Sequence, residues 1–158
     1  MNLCVKQANG RYRPATTEEI ASAAADVVRD KLKGKNAINS PNQVKQYFKM
    51  KLSHYPYEVF SCLFLDNQHH ILEYKEIFRG TINGSAVYPR EIVREAMACN
   101  AAAVIFAHNH PSGESTPSEA DIKITKRLDE ALGFIDVRVL DHIVVGDDPA
   151  SLAELGHI

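Results

Sequence analysis

The residues best placed to do chemistry are in Ala107-His108-Asn109-His110-Pro111, together with Ser118 and Asp121 a little further on. Ala101 to Ala107 is an unbroken apolar run, which predicts a buried strand. Side chains alternate faces along a strand, so His108 and His110 project to the same side at its C-terminal end. Pro111 has no N–H to donate and ends the pairing. Two imidazoles at the mouth of a sheet, with a carboxylate eleven residues later, form a candidate ligand set for zinc. Three protein ligands are what a catalytic zinc takes, leaving a fourth position for water. The plainer alternative is a solvated strand-end histidine, with Asp121 as the N3 residue of a capping box opened by Ser118. Five specified residues at this spacing would recur by chance in roughly one chain of this length in 10⁵. The functional reading is the stronger one.

The elements that must position these residues can be read from periodicity. Thr16-Thr17-Glu18-Glu19 predicts a capping box, and Ile20, Ala24, Val27 and Val28 follow at helical spacing until Gly34. Ser40-Pro41-Asn42-Gln43 is a second start signal, with a cap, a proline at N1 and a glutamine at N3; Val44, Tyr47, Phe48 and Leu52 form the stripe of that helix. Residues 1 to 15 have no period and read as a loose arm or an edge strand. From Tyr57 the period becomes two, with Val59, Ser61, Leu63 and Leu65 on one face and Glu58, Phe60, Cys62 and Phe64 on the other. Asp66-Asn67-Gln68 reads as a turn and Ile71 to Phe78 as the return strand; Gly80 and Asn83-Gly84 mark a loop. Pro89 to Asn100 predicts a helix with a stripe of Ile92, Val93, Ala96 and Met97. Ser118 to Leu132 predicts another, with a stripe of Ile124, Leu128 and Ala131, stopped by Gly133. Val137 to Val145 is a further buried strand, and the tail after Gly146 ends in a helical turn.

Composition narrows the function classes. The chain has 158 residues, 45% hydrophobic and 24% charged, which suits one well-buried domain and excludes wholesale disorder. No apolar run reaches membrane-span length, and the first residues lack the basic-then-apolar order of a signal peptide. Cys4, Cys62 and Cys99 are odd in number and outside any CxxC, which argues against disulfides or a zinc ribbon. A cytoplasmic location is expected. A formal net charge of −2 argues against a constitutive nucleic-acid binder, which would carry a basic footprint.

A hydrolytic zinc site also needs a base. Glu58, Glu76, Glu91, Glu95, Glu114 and Glu119 compete for that role. Glu91 and Glu95 are i,i+4 neighbours on a helix and read as a solvated face, while Glu119 suits the dipole of a first helical turn. Glu114 lies in the loop and stays in contention. Glu58 shares a strand face with Phe60, Cys62 and Phe64, where desolvation favours a raised pKa and hence a base near neutrality. Glu58 is equally well read as a frayed first residue pointing into water. Ser118 can cap the helix that presents Asp121. Gly113 and Pro117 read as loop geometry, and Asn109, on the opposite strand face, as structural. His142 beside Asp141 reads as an orienter of a ligand or as core packing, since a fourth protein ligand would close the site. His54, His69, His70 and His157 have no spacing logic and read as surface residues.

His108-x-His110-Pro111, six residues, then Ser118-x-x-Asp121 matches the signature of the JAMM (MPN+) metalloprotease superfamily. His-Asn-His-Pro-Ser-Gly and Leu140-Asp141-His142-Ile143 resemble its RadC branch in particular. The resemblance covers about the last hundred residues, from near Pro56 onward. It implies an α/β fold, a cytidine-deaminase-like (JAB/MPN) three-layer sandwich with a mixed sheet, preceded by two N-terminal helices. The domain division expected is an N-terminal helical extension over 1–54 and the metallohydrolase domain over 55–158. It further implies Zn²⁺ held by His108, His110 and Asp121, and hydrolysis of a peptide or isopeptide bond. Glu58 becomes the general base through the resemblance, which places an essential glutamate at the start of such a strand. Ser118 gains a second role as hydrogen-bond donor to the oxyanion.

The resemblance names no physiological substrate; the expected partner is a peptide or protein. RadC proteins often carry a helix-hairpin-helix module near the N-terminus, but no glycine-centred hairpin of that type is found here. That absence weakens the first alternative, a DNA-metabolism factor acting by binding, with weak DNA affinity; a metal-stapled interaction module is the second. Zinc deaminase chemistry is disfavoured, because the H-x-E…P-C-x-x-C signature is absent.

Overall fold

A computed structural model of the chain describes residues 3–32, 38, 40–80 and 87–158, with side chains at 25 and 28–32 set aside. Gly34, Asn83, Gly84 and the Val28 side chain, which carried expectations above, lie outside the described residues. In chain order the elements are β1 (Cys4–Lys6), β2 (Tyr12–Pro14), α1 (Thr17–Leu32), α2 (Pro41–Leu52), β3 (Val59–Leu65) and β4 (Ile71–Arg79), followed by α3 (Pro89–Ala98), β5 (Ala103–Asn109), α4 (Glu119–Gly133), β6 (Arg138–Val145) and β7 (Ala150–Ser151). The main sheet has the order β4-β3-β5-β6-β7. Only the β5–β6 pair is parallel, joined by a crossover through α4; the other pairs are antiparallel.

The period-two pattern of β3 explains why helices cover both faces of the sheet. Val59, Leu63 and Leu65 pack with Val44, Tyr47, Phe48 and Leu52 of α2. Phe60, Cys62 and Phe64 pack on the other face with Ile92 and Ala96 of α3 and Leu128 and Leu132 of α4. The result is a three-layer α/β/α sandwich, and every residue of β3 and β5 is buried. Each such Leu or Phe contributes about 1.5–3 kcal/mol by leaving water.

Several local expectations need correction. Two helices do not simply precede the sandwich: β1 and β2 form a separate antiparallel hairpin ahead of them, and α2 is itself a layer of the core. On α1 the apolar positions at helical spacing are largely open to solvent, Ile20 at 40% and Val27 at 57% exposure. Ser40 sits at the N-cap of α2 with extended backbone, but its side chain makes no capping bond, so Pro41 is the start signal that acts. On α3, Ile92 and Ala96 are buried whereas Met97 is 65% exposed, because the helix turns that side to solvent at its end. The buried stripe of α4 is Asp121, Thr125, Leu128 and Leu132, with Ala131 to one side. Two of those four are polar, and both belong to the site.

Candidate metal centre

The site forms at the C-terminal end of β5, where α4 begins, the usual place for a ligand in a sheet with a parallel crossover. His108 is completely buried, opposite Phe60 in β3 and Val144 in β6. His110 extends the strand line, its N–H donating to the Val145 carbonyl at 2.9 Å. Both rings therefore face α4. Asp121 arrives from the first turn of α4 and is 1% exposed. The ligand atoms of His108, His110 and Asp121 all lie within 4.8 Å of one another, and the triad could hold a metal ion.

Hydrogen bonds decide which atoms face the centre. The His110 Nδ1–H donates to the Glu114 carbonyl at 2.7 Å, since a carbonyl can only accept, and this leaves a lone pair on Nε2. Asp121 Oδ2 accepts from the Ser118 N–H and hydroxyl, each at 2.7 Å, leaving Oδ1 toward His108. The separations are 3.0 Å between His108 Nε2 and His110 Nε2, and 3.3 Å from His108 Nε2 to Asp121 Oδ1. His110 Nε2 lies 3.7 Å from Asp121 Oδ2. A tetrahedral zinc with bonds of about 2.0–2.1 Å sets neighbouring ligands about 3.3 Å apart, so the residues fit such an ion.

The titration shifts follow from that crowding. Hydrogen bonding to Asp121 raises His110 above the ordinary histidine value; burial opposes the shift, and the Glu114 carbonyl and the charges of Asp121 and Glu58 add to it. Burial pushes Asp121 up, yet pairing with His108 and His110 in their charged forms, with the Ser118 hydroxyl, outweighs it and holds the carboxyl well below its usual range.

Glu58 reaches the site through strand register. Partners across β3 and β5 pair as Phe60 with His108 and Ser61 with Ala107, and carrying that register two residues further sets Glu58 beside His110. The charge of Glu58 acts on His110. Its carbonyl accepts from Gly80 N–H at 2.8 Å. The rival Glu114 directs its carboxylate to the Thr116 N–H and hydroxyl at 3.0 and 2.7 Å. Those bonds hold it below the usual carboxylate range. Glu91 pairs with Arg94 at 2.7 Å, and Glu95 with Lys75 of β4 and Arg94; both are half-buried in ion pairs, where a fully solvated face was expected. Glu76 accepts from Tyr55 Oη at 3.0 Å, and Glu119 is exposed.

Ser118 completes a capping box, its Oγ accepting from Asp121 N–H at 3.2 Å. Asn109 faces the other way and is structural: its Oδ1 accepts from Val59 N–H at 2.8 Å, and its amide donates to the carbonyls of Tyr55 and Tyr57. The loop that supplies the Glu114 carbonyl is pinned at Gly146, where an added Cβ would lie 2.3 Å from the Gly113 carbonyl oxygen. Gly113 itself has φ +85°, which favours glycine.

His54 is not the surface residue its position suggested. Both its ring nitrogens are buried, the ring lies 4.2 Å from that of Tyr55, and with His110 and Asp147 it lines a cavity of about 310 Å³. Sequence reasoning also missed Thr125, although its spacing of four from Asp121 places both on one helical face. Thr125 Oγ lies 2.6 Å from His142 Nδ1, and His142 Nε2 lies 2.8 Å from His108 Nδ1.

A sheet of this mixed order, sandwiched between helices and carrying a His-x-His strand end against a helix-borne Asp, defines a JAB-type α/β domain with a candidate metal site. The model of the RadC-like JAB domain matches residues 38–157, beginning ahead of α2 and so upstream of where the motif resemblance starts. The chain belongs to this RadC-like JAB domain family. It is 51% identical to a UPF0758 protein of Marinobacter nauticus over 93% of this chain and 66% of that one. A UPF0758 protein of Cellvibrio japonicus is 49% identical over 97% of this chain and 69% of its own. For a UPF0758 protein of Vibrio cholerae the identity is 51%, over 87% of this chain and 88% of the relative. Among the described residues no helix is long and apolar enough to cross a membrane.

Proposed function

We propose that the chain is a zinc-dependent hydrolase of the JAMM type that cleaves a peptide or isopeptide bond, in a cytoplasmic setting. His108, His110 and Asp121 would hold the ion, which when bound acidifies a water to a pKa of about 7 and polarises the substrate carbonyl. Glu58 takes the proton from the attacking water and later delivers it to the departing amine. Ser118 turns its hydroxyl from Asp121 Oδ2 to the oxyanion as charge develops there. The observation that supports this reading is the convergence of three ligand atoms, with Glu58 near enough to His110 for its charge to act there. A structural metal needs only the ligands, whereas a hydrolase needs the ligands and a base together. The cavity beside His110 gives room for one arm of an extended substrate.

The test is Glu58→Gln, which keeps the shape of the side chain and removes its basicity. The variant is expected to fold, to retain one zinc per chain and to lose roughly 10²-fold or more in hydrolysis of a peptide or isopeptide substrate. Turnover within a few-fold of wild type, at equal zinc content and thermal midpoint, would remove Glu58 from the mechanism. Any contact with DNA is proposed to be weak and steeply salt-dependent, given the net charge of −2. Submicromolar, sequence-selective binding at physiological salt would favour the DNA-metabolism alternative instead.

A further inference from the structure

Behind the three ligands lies a second set of polar groups whose hydrogen bonds close a ring through two of them. Thr125 Oγ is 2.6 Å from the Asp121 carbonyl and 2.6 Å from His142 Nδ1. A hydroxyl has one proton, and the carbonyl has none to give, so the Thr125 proton points to Asp121. The proton shared with His142 therefore sits on His142 Nδ1. His142 is completely buried, with the rings of Phe60 and Phe106 edge-on at 5.4 and 5.9 Å, and among the described residues its ring nitrogens are met by Thr125 and His108, not by a carboxylate. An imidazolium there would be an unpaired buried charge, so the ring is neutral and its Nε2 is an acceptor. The 2.8 Å contact to His108 then has His108 Nδ1–H as donor. His108 is left with its lone pair on Nε2, the atom that faces His110 and Asp121.

We infer that Thr125 and His142 are positioning residues for the metal centre: they fix the tautomer and ring angle of His108 and tie the ligand-bearing helix α4 to the ligand-bearing strand β5. A strand irregularity puts His142 in place. The β5–β6 partners run Ala103 with Arg138 and Val104 with Val139, then shift by one so that Phe106 meets His142. Val139 and His142, three apart, consequently face the same layer, which an unbroken strand would not allow. The extra residue turns an imidazole, in place of Asp141, toward the centre. Asp141 is spent elsewhere, accepting from Ser151 Oγ at 2.7 Å and from the N–H groups of His142 and Ala153 at 2.7 and 3.1 Å.

This inference rests on the metal-centre reading above, and the experiment separates the two. Zinc affinity is measured by chelator competition on the full chain for wild type, His142→Leu, Thr125→Val and Thr125→Ser, with thermal midpoints alongside. His142→Leu and Thr125→Val should each bind zinc about 10–100-fold more weakly, the usual cost of losing a ligand's orienting partner, while Thr125→Ser keeps the hydroxyl and should stay near wild type. Should His142→Leu fail to fold, the Val and Ser variants at 125 decide the matter. Imidazole ¹⁵N–¹H correlation spectra of zinc-loaded wild type give an independent reading, with the protons expected on Nδ1 of His142 and of His108. A His142 ring carrying its proton on Nε2, or Thr125→Val matching wild type within twofold, overturns the bridge and leaves the metal centre standing. Wild-type protein that takes up no zinc overturns both.

Discussion

Two helices in this molecule open with the same device, and only one of them makes a site. Thr16 and Glu19 form a capping box at the start of α1, and Ser118 and Asp121 form one at the start of α4. At α1 the acid is half-exposed, and Arg13 donates to both its oxygens, at 2.5 and 2.8 Å. At α4 the acid is buried: its capping oxygen, Oδ2, lies 3.7 Å from His110 Nε2, and its second oxygen, Oδ1, lies 3.3 Å from His108 Nε2. The cap consumes one carboxylate oxygen in both places. What surrounds the carboxylate decides whether the motif is structural or chemical: a partly exposed guanidinium in one case, two imidazoles at a buried centre in the other.

The largest test of that contrast is to remove each acid. Asp121→Ala should weaken zinc binding more than 100-fold, beyond the 10–100-fold scale of a lost orienting partner, because a true ligand is gone. His108→Ala should do the same, and Glu19→Ala should leave zinc affinity unchanged. Equal zinc retention by all three variants under mild chelation would erase the distinction. A smaller effect is expected at the cap of α4. Ser118→Ala removes two hydrogen bonds around Asp121 and should cost about 1 kcal/mol of stability together with up to about 10-fold in zinc affinity. Thr16→Ala should cost about 1 kcal/mol at most, with no effect on zinc. Thermal melting with and without zinc separates the pair: the Ser118 variant should lose part of the zinc-induced rise in midpoint, and the Thr16 variant none.

The same contrast marks how far sequence could be read. Both boxes were visible as spacing, and so were the two faces of β3, because alternation is a local property and each face meets a different helix layer. His108, His110 and Asp121 were legible for the same reason, being fixed by short-range spacing within one strand, loop and helix. Glu58 was not settled by its neighbours, because its place beside His110 depends on pairing between strands about fifty residues apart in the chain. Thr125 and His142 were harder still. One was concealed by assigning the α4 stripe to apolar residues alone, and the other depends on a one-residue shift in β6 that leaves no local mark. Met97 failed in the opposite direction, as an apolar residue at the right spacing but beyond the edge of the layer it was expected to join.

The smallest prediction isolates the solvent-facing acid by its titration. Hydrogen bonding to Arg13, then to Thr16, lowers the pKa of Glu19 from 4.5 to about 2. A carboxyl depressed in the folded state adds stability above its unfolded pKa and loses it as the pH falls through the folded value. The contribution of Glu19 should therefore vanish between about pH 4.5 and about pH 2. Asp121 of the metal-free protein is held lower still, so its contribution persists through most of that window and fades only in stronger acid. His110, raised in the folded state, contributes fully below its unfolded pKa and loses that contribution as the pH rises, so it is silent there. Other carboxyls also titrate in this range, Asp66 and Glu95 among them, so the quantity to follow is the difference in thermal midpoint between wild type and Glu19→Gln, both metal-free. Glutamine can still cap the helix but carries no charge for Arg13. That difference should be small, because the pair is partly exposed to water, should close as the pH drops through the window, and should shrink in high salt at neutral pH. Parallel curves for the two proteins from pH 6 to pH 2 would show that the Arg13–Glu19 pair adds nothing to the cap, leaving the hydrogen bonds with Thr16 to hold α1 alone.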